Sequence, residues 1–117
     1  MSKTLDLAKE LISLKSVTPN DAGCQEIVAK RLKQFGFNIE NLNFGDVKNL
    51  WAILGDSGPI FAFLGHTDVV PPGPIDQWES DPFCPTEKNK LLVGRGSADM
   101  KGSVAAFVTS IEEYLSS

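Results

Sequence analysis

The sequence predicts an α/β domain in which a mixed sheet is flanked by helices in three layers. Three observations carry that prediction. Both ends of the chain show apolar residues at helical spacing, and the middle alternates as strands do. Between them, Ile60-Phe61-Ala62-Phe63-Leu64 is apolar without a break, as in a strand covered on both faces at the centre of a sheet.

The elements follow in order. Leu5, Ala8, Leu11 and Ile12 recur on one helical face, with lysine and glutamate opposite. Ser16 to Asp21 break that helix, because Pro19 biases its predecessor away from the α region. A second helix is expected from Asn20 or Asp21, either of which can cap free amides. Its apolar face is Cys24, Ile27, Val28, Leu32 and Phe35, and Gly36 stops it. Phe37 and Ile39, then Leu42 and Phe44, alternate with polar residues. The extra polar residue at Glu40-Asn41 predicts a bulge or bend. Leu50 to Leu54 reads as a further strand, and Gly55 to Gly58 as turn chemistry. Five of the seven prolines fall between 71 and 85, which makes that stretch a stiff irregular loop. Leu91 to Val93 is a short strand. A last helix aligns Val104, Phe107, Val108, Ile111 and Leu115.

Composition narrows the function classes. The chain has 117 residues, 11 basic and 15 acidic, with a net charge of −4. No basic stripe exists to neutralise phosphates, so nucleic acid is not an expected partner. The longest apolar run is far too short to cross a bilayer, and the N-terminus lacks a signal-peptide core, so no membrane is expected. Cys24 and Cys84 show no CxxC spacing, which suits two free thiols in a reducing cytoplasm.

Two stretches hold the chemistry. Gly65-His66-Thr67-Asp68 stands where the apolar strand runs out, the edge at which open α/β sheets place ligands. His66 is the single histidine. A metal can take one ring nitrogen, provided the other is held, and Asp68 is a candidate holder. A solvated polar strand end accounts for the same residues. The second stretch, Gly94-Arg95-Gly96-Ser97-Ala98-Asp99-Met100-Lys101-Gly102, packs three glycines around one acid. Asp99 reads either as a helix cap or as a cation ligand. Phosphate loops fail here. The dinucleotide fingerprint needs glycine where Asp99 stands, and Lys101-Gly102-Ser103 reverses the order of a P-loop. Ser97 and Ser103 lack a nucleophile elbow. Lys101 reads as solvated, and Trp78 and Phe83 as loop packing.

The runs FLGHTDVVPPGP, QWESDPF and GRGSADMKGSVAA, in that order, resemble the dinuclear zinc aminoacylase/carboxypeptidase family. SVTPNDAGC and FGDVKNLWA are similar to it as well, so the resemblance spans nearly the whole chain. Within the family it is closest to members that remove succinate from an amino acid in bacterial lysine biosynthesis. Acetylornithine deacetylases and other aminoacylases or peptidases of the family are the alternatives.

The resemblance implies a zinc-exopeptidase-like catalytic fold and hydrolysis of an amide by metal-activated water. It implies that His66 ligates one zinc, that Asp99 bridges two, and that Asp68 is the catalytic acid orienting His66. A cis peptide after Asp99 and cobalt as a substitute metal belong to the same pattern. So do a small N-succinyl amino acid substrate and a homodimeric parent. The family's Glu-Glu pair, its remaining acidic and histidine ligands and its inserted dimerisation domain follow the position of Ser117. Residues 1–117 are thus expected to be the N-terminal part of a metallohydrolase catalytic domain, inactive alone and prone to self-association. A non-catalytic remnant serving as an interaction module is the competing class.

Overall fold

The computed structural model describes residues 2–117. Helix α1, Lys3–Ile12, opens where the Ser2 hydroxyl accepts from the Leu5 amide at 3.1 Å. It buries Leu7, Ala8, Leu11 and Ile12, so Leu7 joins the predicted face and Leu5 stays half-buried. Helix α2 is Cys24–Lys33, three residues shorter at its start than expected from Asp21. Ala22 (φ 56) and Gly23 (φ 93) adopt left-handed backbone there and postpone the first turn. Asp21 still serves the helix end, accepting from the Gln25 amide at 3.0 Å.

Strands β1, Asn38–Asn41, and β2, Leu50–Ile53, form an antiparallel hairpin in which Ile39 faces Ala52 and Glu40 faces Trp51. The same register continues through the Leu42–Asn49 bond to the Phe44–Val47 bridge. The expected bulge is therefore absent. Ile39 and Ala52 face the core, while Leu42, Phe44 and Trp51 sit on the opposite face, exposed. Strand β3, Thr86–Lys88, pairs with β4, Leu91–Val93, around Asn89-Lys90. Positive φ at both turn residues (53 and 64) gives the twist a two-residue hairpin needs. Helix α3, Gly102–Ser116, buries Val104, Ala105, Val108 and Thr109. Phe107 and Ile111 are half-buried, and Leu115 is exposed.

The α/β class holds, with the helices forming most of the core, but the described strands pair as two separate antiparallel hairpins and not as one mixed sheet. Leu7, Leu11, Cys24, Val28, Leu32, Ala105 and Val108 meet between α1, α2 and α3, and Ile39, Leu50 and Ala52 cover one side. Arg31 of α2 and Glu112 of α3 add a two-pronged ion pair at 2.7 and 3.0 Å. The central strand at Ile60–Leu64 is corrected. Those residues make no ladder, and Ile60, Phe61 and Leu64 are more than four-fifths exposed. Apolarity on both faces demands cover on both sides. Phe107 stacks on Phe63 with centroids 4.6 Å apart, while the run as a whole stays exposed.

The two thiols differ sharply. Burial raises the Cys24 thiol above its usual pKa, against a lowering influence from nearby Lys101, whereas Cys84 is exposed. A thiol reagent at neutral pH is expected to titrate one cysteine per native chain, and the second only in denaturant. Rapid labelling of both in the native state would refute the packing of Cys24.

Candidate metal centre

Three segments build the site. Val17 bridges Val69 in parallel: the Val69 amide donates to the Ser16 carbonyl at 2.8 Å, and Thr18 N–H to the Val69 carbonyl at 3.0 Å. Side chains double the link. Ser16 Oγ donates to the Thr67 carbonyl at 2.7 Å, Thr67 Oγ1 to Asp21 Oδ1 at 2.7 Å, and Thr18 Oγ1 to Asp68 Oδ2. The segment read as a helix break thus holds His66-Thr67-Asp68 on both sides. Asp21 is buried and ties both Thr67 and α2 into this arrangement. Asp21→Ala is expected to cost about 1–3 kcal/mol, since it strips a cap and leaves Thr67 unpaired. A urea midpoint equal to that of the native chain would overturn this account.

The glycine-rich segment packs against the same loop. Gly96 has φ 90, and a Cβ there would lie 2.5 Å from Val69 Cγ1. A Cβ on Gly94 would lie 2.7 Å from Ile12 Cγ2. These glycines serve close approach. The wide turn Ser97–Lys101 follows, with Asp99 and Met100 outside helical geometry and a cis peptide between them. Asp99 does not cap α3; its carboxylate reaches His66. The Met100 sulfur sits 3.4 Å from the His66 amide, beneath the imidazole's own backbone.

Here the predicted residues meet. His66 Nε2 lies 2.9 Å from Asp99 Oδ1. His66 Nδ1 lies 2.9 Å from the Asp68 carbonyl oxygen and 3.4 Å from its carboxylate. Asp68 therefore orients the ring chiefly through its backbone, and its side chain is taken by Thr18. A carbonyl only accepts, so Nδ1 carries a proton. Nε2 then faces a carboxylate that also only accepts. A proton shared between Nε2 and the Asp99 carboxylate, or a metal cation bound to both, would satisfy this pair. Burial alone would lower the His66 pKa. The Asp68 carbonyl and the Asp99 carboxylate outweigh it and hold the ring above its ordinary value.

Asp99 is 87% exposed, and the site opens into a cavity of about 430 Å³ bordered by Thr18, Asp68, Arg95 and Ser97. Among the described residues no three His, Cys, Asp or Glu side chains converge on one point. The pair His66–Asp99 fits a metal as two donors of an open set. Trp78 is loop packing as expected, donating to the Pro72 carbonyl at 2.9 Å under the Arg95 guanidinium.

Sequence reasoning missed Ser16, Thr18, Asp21 and Lys101. Lys101 is fully buried, not solvated; burial lowers its pKa, and Cys24 and Asp21 oppose that. A signal existed. Lys101 lies three, four and seven positions before Val104, Ala105 and Val108, on the buried stripe of α3.

A histidine oriented by a carbonyl and facing an exposed carboxylate at a loop edge is an arrangement that could hold part of a metal centre. Residues 62–117 match the model of peptidase family M20/M25/M40. The chain is similar to succinyl-diaminopimelate desuccinylases over nearly its whole length. It is 61% identical to the succinyl-diaminopimelate desuccinylase of Alkalilimnicola ehrlichii over 98% of this chain and 31% of that protein. The desuccinylases of Methylobacillus flagellatus and Xylella fastidiosa are each 59% identical over 98% of this chain. The chain thus spans about a third of the length of the curated relatives it matches. Human carnosine dipeptidase 1 shares the fold at a TM-score of 0.82 and 26% identity, over 97% of this chain and 28% of that one.

Proposed function

We propose that residues 1–117 form the N-terminal part of the catalytic domain of a zinc-dependent amide hydrolase that removes succinate from N-succinyl-LL-2,6-diaminopimelate. The observation that carries the reading is the 2.9 Å approach of His66 Nε2 to Asp99 Oδ1 with Nδ1 already committed. Identity near 60% to desuccinylases, against 26% to a dipeptidase, favours the succinylated substrate.

His66 and Asp99 are the proposed ligands: His66 would hold one zinc ion and Asp99 would be shared between two, with cobalt as a possible replacement. Bound there, the metal supplies an activated water and polarises the amide carbonyl. The chain's own residues do the rest. The Asp68 carbonyl holds the Nδ1 side of the ring and turns Nε2 toward Asp99, and Thr18 holds the Asp68 carboxylate to one side. Exposed Asp99 leaves room for a small amide to enter the cavity. A further glutamate pair and ligands from the family pattern would complete the site, and a homodimeric cytoplasmic enzyme is part of the same proposal. No helix among the described residues is long and apolar enough to cross a membrane.

The test grafts residues 1–117 onto the remaining two-thirds of the Alkalilimnicola desuccinylase. Zinc-dependent release of succinate is expected, falling at least a hundredfold in His66→Ala and Asp99→Ala. The ungrafted chain is expected to show no turnover and weak zinc binding. A folded, inactive graft, or one that prefers an N-acetyl substrate, would overturn the proposal.

A further inference from the structure

We propose that Lys101 is a positioning residue for Asp99: its buried ammonium, locked onto the C-terminal end of α1, fixes where the Asp99 carboxylate meets His66. The inference rests on reading Asp99 as a metal ligand. Asp99 cannot hold its own position, because its side chain is 87% exposed and, among the described residues, its one side-chain bond is to His66. The backbone on either side must place it.

On the far side stands Lys101, fully buried, donating from Nζ to the Leu11 carbonyl at 2.7 Å and the Leu14 carbonyl at 2.9 Å. The Leu11 carbonyl belongs to the last turn of α1, at the negative end of the helix dipole, and the Leu14 carbonyl to the turn just beyond it. A cation is the natural partner there. Its amide also donates to the Gly96 carbonyl at 2.7 Å, which closes the turn that carries Asp99. The near side is fixed by the same residue, since the Lys101 stem lies over Gly96, 3.4 Å from where a Cβ would stand. Lys101 therefore clamps both ends of the segment Gly96–Lys101 to α1. The surrounding polar groups, Ser16, Asp21 and Cys24, are buried with it.

His66 is the single histidine, so its two ring nitrogens give one unambiguous set of long-range proton–nitrogen NMR signals. We would record them on the 117-residue chain, with cobalt(II) affinity by titration, for Lys101→Met and Lys101→Gln. Methionine removes the charge; glutamine keeps N–H donors but falls a methylene short of both carbonyls. Asp99→Ala supplies the signal of a ring without its carboxylate. Leu11→Ala is the control for lost stability alone.

At a temperature below every transition, the Nε2 signal of both Lys101 variants should move toward that of Asp99→Ala. Cobalt affinity should fall at least tenfold, while Leu11→Ala keeps the native signal. A folded variant with native signals and native affinity overturns the proposal. Failure of both variants to fold overturns it too, since the lysine would then be a requirement of the fold. If Asp99→Ala binds cobalt as tightly as the native chain, the metal reading fails, and the NMR shift still reports on the clamp separately.

Discussion

Gly96→Ala is expected to destabilise the chain by about 3 kcal/mol, enough to displace its urea midpoint well outside error. Two costs add. A residue with a Cβ at φ 90 loses roughly 1–2 kcal/mol against its preferred backbone. The Cβ would also stand 2.5 Å from Val69 Cγ1, and overpacking of this kind costs about 1–3 kcal/mol. Relief is blocked. Val69 is buried and held by hydrogen bonds to residues 16 and 18, and its branched side chain has few rotamers. Moving it would drag Asp68 and His66 with it. Unfolding followed by circular dichroism tests this, and a loss below about 1 kcal/mol would mean that the loop yields more easily than its bonds imply.

Leu11→Ala is expected to cost about 2–5 kcal/mol, a large part of what holds a domain of this size together. Leu11 is wholly buried where α1 meets α2 and α3, and truncation leaves a cavity that three helices would have to close together. Its backbone carbonyl still receives Lys101, so the loss should appear in stability without a change at His66. Thermal melting of the variant beside the native chain measures it. A melting temperature lowered by less than a couple of degrees would contradict the packing described.

The helices were legible because their burial is periodic. The faces of α1 and α2 and the Val104–Val108 stripe follow from spacing, and the structure moves their ends and adds Leu7 to the α1 face. Residues 60–64 misled for a physical reason: apolarity states what should be covered and says nothing about whether a neighbour pairs with the backbone. Glu40-Asn41 misled in a related way. A change of apolar phase was read as a bulge, whereas the register runs on and the later residues face outward. At the site, His66 and Asp99 were suspect individually, and only family resemblance joined residues so far apart in the chain. Asp68 was chosen for its carboxylate, yet its carbonyl makes the shorter contact. Lys101 escaped because a charge was weighed as surface, although its position on the α3 stripe argued otherwise.

The core joins the first helix to the last, and Thr4 even shares a hydrogen bond with Thr109 at 2.6 Å. That arrangement sets a timetable during translation. At roughly 5–20 residues per second, the partner of α1 is synthesised some 5–20 seconds after α1 itself. For that interval Leu7 and Leu11 lack their α3 neighbours, and the Leu11 and Leu14 carbonyls lack the Lys101 ammonium. A nascent chain stalled before Gly102 should therefore bind holdase chaperones, and release should coincide with the emergence of α3.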